Sequence, residues 1–293
     1  MQTVQTVHEL REQLKQWRDQ GQSIGFVPTM GYLHQGHGSL IAQAKKDNDR
    51  VVVSIFVNPT QFGENEDLST YPRDLAADQR LITDLGGDLL FHPTVSEMYP
   101  NYPNTGLTTV SVSGLGEHLC GASRPGHFNG VCLVVSKLLH MVQPDRAYFG
   151  EKDYQQLVII RQMVSDLNLP VEIVGCPIMR EPNGLAMSSR NSYLSEKQRK
   201  DAQHIYKCLR FAQQILIQVG ETDPEMLIFA IEANLDRIEG GCIDYIQIVC
   251  PKTLKPVEVM KGFVLIAVAV FVGNTRLIDN ILAEAPGLRN FAF

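Results

Sequence analysis

Ile24-Gly25-Phe26-Val27-Pro28-Thr29-Met30-Gly31-Tyr32-Leu33-His34-Gln35-Gly36-His37-Gly38-Ser39-Leu40-Ile41 runs from an apolar segment through a turn with two histidines into the start of a helical stripe. The apolar segment reads as a strand that stops at Pro28, because proline lacks the N–H that a central strand uses. Ser39 reads as the N-cap of a helix carrying Leu40, Ile41 and Ala44. His34 and His37 therefore fall in a strand-to-helix turn. Backbone N–H groups and the helix dipole make such a turn a seat for phosphate, Gly31 and Gly36 let a ligand come close, and imidazoles can donate to phosphoryl oxygens. This pattern points to a nucleoside triphosphate. Two loop histidines beside a strand-ending proline are the plainer reading of the same residues.

Outward from this turn, strand-like runs recur at Val51 to Val57, Asp88 to Phe91, Arg146 to Phe149 and Val171 to Gly175, with helix-like segments between most of them. Before it, Thr6 and Glu9 form a capping box for a helix carrying Val7, Leu10, Leu14 and Trp17. Short apolar runs alternating with helices predict an α/β fold: a doubly wound, Rossmann-like parallel sheet with ligands outside the carboxyl ends of its strands. The pattern breaks at Glu181-Pro182-Asn183-Gly184. Ser195 with Gln198 then opens helices near 196 to 219 and 224 to 238, followed by strand-like Ile243 to Val249 and Phe263 to Val272. We therefore expect a catalytic domain over residues 1–180 and a smaller α+β domain over 181–293. The tail from Ala283 to Phe293 shows no periodicity and reads as loosely packed.

The 293 residues are 44% hydrophobic and 20% charged, enough for a large core. A net charge of −6 argues against a broad nucleic-acid footprint and for a small anionic ligand in a local pocket. Six cysteines without CxxC spacing, and no secretory signal, read as reduced thiols in a cytoplasmic protein. The longest apolar stretch, Phe263 to Val272, is too short for a membrane-spanning helix.

Chemistry gathers at further turns. Ser54 to Phe62 ends an apolar strand in Asn58 and Gln61, uncharged amides suited to hydroxyls and carboxylates; an ordinary Asn-Pro turn explains it too. Tyr148 to Gln156 again follows a strand: Gly150 permits close approach beside Glu151, Lys152 offers a compact cation to a triphosphate, Asp153 can accept from ribose hydroxyls, and Gln156 lies in the first helical turn. Capping charges at an exposed helix start read equally well. Met187-Ser188-Ser189-Arg190-Asn191 supplies hydroxyls and a guanidinium on a loop that could close over phosphates, or a polar linker. Arg124-Pro125-Gly126-His127-Phe128-Asn129-Gly130 could offer Arg124 and His127 to an anion, but a capping loop accounts for it, and both stay outside the catalytic set.

In order and context, Pro28 to His37, Asn58 to Phe62, Arg124 to Val131, Gly150 to Gln156 and Met187 to Asn191 resemble the pantothenate synthetase (pantoate-β-alanine ligase) family. The first and last of these also resemble the HIGH and KMSKS signatures of the wider adenylyl-transferring superfamily. The resemblance implies ATP-dependent condensation of pantoate with β-alanine through a pantoyl adenylate, with AMP and pyrophosphate released. It implies that Met30, Gly31, Tyr32, Leu33, His34, Gln35, Gly36, His37, Gly150 to Asp153, Met179 and Met187 to Arg190 bind ATP, with His37 as proton donor. His34, Lys152, Ser188, Ser189 and Arg190 would stabilise phosphate charge, Gln61 and Gln156 would bind pantoate, and Asn58 would support that pocket. Mg2+ would arrive with ATP, no metal site being reserved in the protein, and the family is homodimeric. Residues 181–293 would serve as lid and dimer-associated domain, with a hinge near 176 to 186. A nucleotidylyltransferase of the same superfamily and a nucleotide-binding sensor without turnover are the competing expectations. The amide pair disfavours the first, and Lys152 together with both histidines and the serine–arginine loop disfavours the second.

Overall fold

A computed structural model describes residues 1–64, 66–104 and 108–285. Among these the chain forms two compact units. The first comprises Met1–Ser113, Arg124–Glu151 and Gln156–Ile178, and the second Gly114–Ser123, Lys152–Gln155 and the residues from Met179 onward.

The first unit contains β1 (Gln2–Val4), α1 (Val7–Asp19), β2 (Ile24–Thr29), α2 (Gln35–Asp47), β3 (Arg50–Ile55), α3 (Leu75–Asp84), β4 (Leu89–Phe91) and α4 (Val95–Met98). After α5 (Cys120–Ser123), which groups with the second unit, come α6 (His127–Val142), β5 (Arg146–Gly150), α7 (Tyr154–Asp166) and β6 (Glu172–Cys176). All six strands pair in parallel in the order β1-β4-β3-β2-β5-β6. Val27, Val51, Val53 and Leu90 meet Leu40, Ile41 and Ala44 of α2 in one buried cluster. The alternate residues Phe26, Val52 and Leu89, each wholly buried, face the other side. Strands covered on both faces read as continuous apolar runs, which is why these segments stood out. From β2 the chain winds toward β3 and β4, then returns to place β5 on the opposite flank of β2. The carboxyl ends of β2 and β5 are therefore the switch point where such sheets bind ligands.

Two readings of the opening stretch are corrected. Pro28 does not end β2; it pairs with Ser54 inside the strand. The ladder between β2 and β5 involves only Gly25 and Phe26, so by Pro28 the strand has one partner and tolerates a missing donor as an edge would. Nor does Ser39 cap α2. The helix starts four residues earlier, with His34 as N-cap, and the Ser39 hydroxyl donates to the Gly36 carbonyl at 2.8 Å within its first turn.

The second unit holds α8 (Glu196–Asp201), α9 (Gln203–Gln214) running into a π turn at Ile215–Val219, and α10 (Pro224–Leu235). Its antiparallel sheet has the order β7 (Gly241–Val249), β8 (Gly262–Val272), β9 (Thr275–Ala285). Leu209, Leu227, Ile231, Ile266, Val268 and Val270 form its core. The capping boxes at Thr6 and Ser195 are both present. Strand β9 was not expected. Of the tail read as loosely packed, residues 283–285 complete β9, and 286–293 lie outside the described residues.

Ile41 is wholly buried between α2 and the sheet. Ile41→Ala should cost about 2–5 kcal/mol through lost contacts and a residual cavity, read as a lower urea midpoint with an unchanged slope.

Candidate active site

The histidine turn is built by its own side chains. His34 Nδ1 accepts from the Gly36 N–H at 3.1 Å, and His37 Nδ1 accepts from the His34 N–H at 3.3 Å, so two imidazoles perform the reciprocal capping usually done by serine and glutamate. Their ring centroids lie 4.1 Å apart. A neutral imidazole that accepts at Nδ1 carries its proton on Nε2; the hydrogen-bond network thus assigns both rings as Nε2–H donors.

Several backbone amides of this turn are already bonded within the protein. Gly31 N–H donates to Thr29 Oγ1 at 3.2 Å. Tyr32 and Leu33 N–H donate to the two carboxylate oxygens of Asp78 at 2.8 and 2.6 Å. Asp78 sits on α3 and is 3% exposed. Burial pushes its pKa above the usual carboxylate range, against the opposing pull of the two amides. Gly31 has φ +87°, and a Cβ there would come within 2.9 Å of Ile55 Cγ2, so glycine is required on both counts. The tautomers set by the cap give each imidazole an Nε2–H, a group able to donate to an anion.

The amide pair divides its labour. Asn58 is 1% exposed, and its Oδ1 accepts from the Thr60 and Tyr99 hydroxyls at 3.0 Å each. Its Nδ2 donates to Gly130 O and to Gln61 Oε1, both at 3.1 Å. Asn58 is therefore committed to orienting Gln61, whose Nε2 faces Met30 Sδ at 3.2 Å. Arg124 and His127, set aside in the sequence reading, hold the same residue by its backbone. His127 Nδ1 lies 2.8 Å from Gln61 O, and Arg124 Nη2 donates to that carbonyl at 3.3 Å. Arg124 Nη1 contacts His127 Nε2 at 3.1 Å; since arginine only donates, the imidazole proton belongs on Nδ1 and points at Gln61. Glu66 anchors Arg124 in turn. Burial works against the Glu66 charge, but the Arg124 guanidinium outweighs it and holds the carboxyl below its usual range.

Gly150 closes β5, and a Cβ there would meet open space, so packing does not demand glycine at that turn. Glu151–Asp153 form a short 3-10 turn in which Lys152 Nζ lies 3.7 Å from Asp153 Oδ2. Gln156 is half-buried in the first turn of α7. In the second unit, Met187 N–H donates to Met179 O at 3.0 Å, closing a hairpin whose strands bridge at Arg180 and Ala186. Met179 is exposed. Ser188 caps the 3-10 turn Ser189–Tyr193, accepting from Arg190 N–H at 3.3 Å; Ser189 is buried, while Ser188 and Arg190 are half-buried. Sequence reasoning missed Asp78, Tyr99, Asp279 and Asn280. For Asp78 there was a signal: it stands four residues before Ile82 on the buried stripe of α3, a charge where an apolar residue belongs.

No helix among the described residues is long and apolar enough to cross a membrane, and all six cysteines are free. The chain is 52% identical over 281 residues to the pantothenate synthetase of Clostridioides difficile, covering 96% of this chain and 98% of that protein. The Thermotoga petrophila pantothenate synthetase is 51% identical over 282 residues, with 96% and 99% covered. The solved pantothenate synthetase of Thermus thermophilus superposes with a TM-score of 0.90 at 48% identity, covering 96% of this chain and 99% of that one. A Francisella tularensis pantoate-beta-alanine ligase, solved in complex with beta-gamma ATP and beta-alanine, gives 0.79 at 38% identity, covering 96% and 97%. These relatives place the chain in the class of α/β ligases. The chain belongs to the pantoate-beta-alanine ligase family, whose model matches residues 2–282.

Asp78→Asn keeps one acceptor and turns a donor toward the second amide. It should cost about 1–3 kcal/mol in unfolding free energy, more than an Asp→Asn change at an exposed position such as Asp84.

Proposed function

We propose that the chain joins pantoate to β-alanine in two steps. The pantoate carboxylate attacks the α-phosphorus of ATP, giving pantoyl adenylate and pyrophosphate. The β-alanine amine then attacks the acyl carbon, and pantothenate and AMP leave. Neither step needs a protein nucleophile; both need positioning and charge stabilisation. The observation that carries this reading is the reciprocal imidazole cap, which fixes two Nε2–H donors at the end of β2.

In this reading His34 and His37 donate to phosphate oxygens, with His37 as proton donor. Lys152 stabilises charge at the α-phosphate, and Ser188, Ser189 and Arg190 hold the triphosphate. Met30 to His37, Gly150 to Asp153, Met179 and Met187 to Arg190 bind ATP. Gln61 and Gln156 bind pantoate, with Gln61 also near β-alanine and Asn58 holding its amide. Among the described residues no group of three or more His, Cys, Asp or Glu side chains could hold a metal ion, and the oxygen-rich triphosphate suits Mg2+, which would travel with ATP. We further propose a cytoplasmic homodimer in which residues 181–293 act as a lid shielding the adenylate from water. ATP plus pantoate should then change proteolysis near 176 to 186.

Mass-spectrometric product analysis with Mg-ATP and pantoate tests the reaction. Pantoyl adenylate and pyrophosphate should form without β-alanine and convert to pantothenate and AMP with it; nucleotide transfer to another acceptor, or no product, would sink the reading. Lys152→Ala should slow adenylate formation by a factor on the order of a hundred or more with little change in folding. Gly130→Ala places a Cβ 2.3 Å from the Thr60 carbonyl oxygen. It should displace the turn carrying Gln61 and raise the KM for pantoate more than that for ATP.

A further inference from the structure

Two adjacent polar residues lie near the middle of β9, where the sheet pairs them with Val268 and Ala267 of the apolar strand β8. Asp279 is 3% and Asn280 6% exposed. Buried polar groups in a strand cost stability unless they bond, and asparagine is disfavoured in strands, so packing alone does not explain the pair. Their bonds reach segments far away in sequence. Asn280 Nδ2 donates to the Lys152 carbonyl at 2.9 Å. Asp279 binds Arg180 through both carboxylate oxygens, at 2.6 and 3.0 Å, and its Oδ1 also accepts the Asn280 N–H at 2.8 Å. Arg180 lies 3.7 Å over the Tyr206 ring and donates to Gly184 O at 3.2 Å. Asp279 also feels the Lys152 charge.

We propose that Asn280, braced by Asp279, is a positioning residue for the ATP step, acting by holding the backbone of the turn that carries Lys152. This rests on the reading of Lys152 as the group that stabilises α-phosphate charge. The pair ties both ATP segments of this unit, the Lys152 turn and the Met179 hairpin, to one strand whose place is set by eleven paired residues along β8. A lysine has a long flexible stem, so its ammonium is only as well placed as its backbone. A misplacement of about 1 Å can cost a reaction on the order of a hundredfold.

The test is a double-mutant cycle read by pantoate-dependent pyrophosphate release: wild type, Lys152→Ala, Asn280→Ala and both together. Lys152→Ala keeps the backbone carbonyl, so any purely structural effect of losing the Asn280 bond is the same in both backgrounds. Asn280→Ala should lower kcat roughly 10-fold or more with the pantoate KM unchanged, and should lower it no further once Lys152 is alanine. An equal fall in both backgrounds, or wild-type turnover in Asn280→Ala, would overturn the proposal. If Asn280→Ala fails to fold, Asn280→Leu, close to asparagine in shape but without a donor, takes its place in the cycle under the same criteria. Near-normal kcat in Lys152→Ala would instead remove the premise, and no pyrophosphate from wild type would remove the proposed reaction itself.

Discussion

The buried carboxylate of Asp78 is the constraint on which the histidine turn depends. Each of its oxygens holds one amide of the turn, Tyr32 and Leu33, and Tyr32 is thereby kept at φ +50°, a conformation a tyrosine rarely adopts. The turn leaves β2 and bends back through Gly31 because these groups are pinned to α3. A charge placed where α3 should be apolar is costly. The two N–H groups that stabilise it belong to the turn just before the N-cap of α2 and would otherwise need other partners.

Support and chemistry are separated along the same lines elsewhere. Asn58 spends its whole amide on protein partners, leaving Gln61 beside it with a defined orientation. Arg124 and His127 hold the Gln61 carbonyl through their side chains. The residue types that draw the eye as candidate ligand groups thus include several whose work is to fix a neighbour. Burial distinguishes them, since a group with almost no exposure must satisfy itself within the protein.

The β2–turn–α2 unit was legible because apolar continuity and glycine placement are local properties. So were the first helix and the Ser195 cap, where one short capping box carries the signal. Pro28 was misread because whether a strand position is edge-like depends on how far its neighbour extends, and β5 stops pairing after Phe26. Ser39 was misread because histidine is not an expected cap, so the search moved to the nearest serine. β9 went unread because Arg276, Asp279, Asn280 and Glu284 interrupt its apolar pattern, although Gly273-Asn274 between two strands is a two-residue hairpin signal. Asp78 and Asn280 could be recognised only as polar residues on buried faces; their partners lie 45 and 128 residues away.

Because the cap of α2 is made from imidazoles, helix initiation and, in the proposed function, chemistry share the same two side chains. Serine at position 34 with glutamate at 37 would restore a conventional capping box and could start the helix equally well. Such a chain would fold, express and escape quality control while presenting a carboxylate where an N–H donor belongs. Selection for stability alone therefore has no grip on this pair, and a family member that has lost its activity could remain indistinguishable in shape from one that retains it.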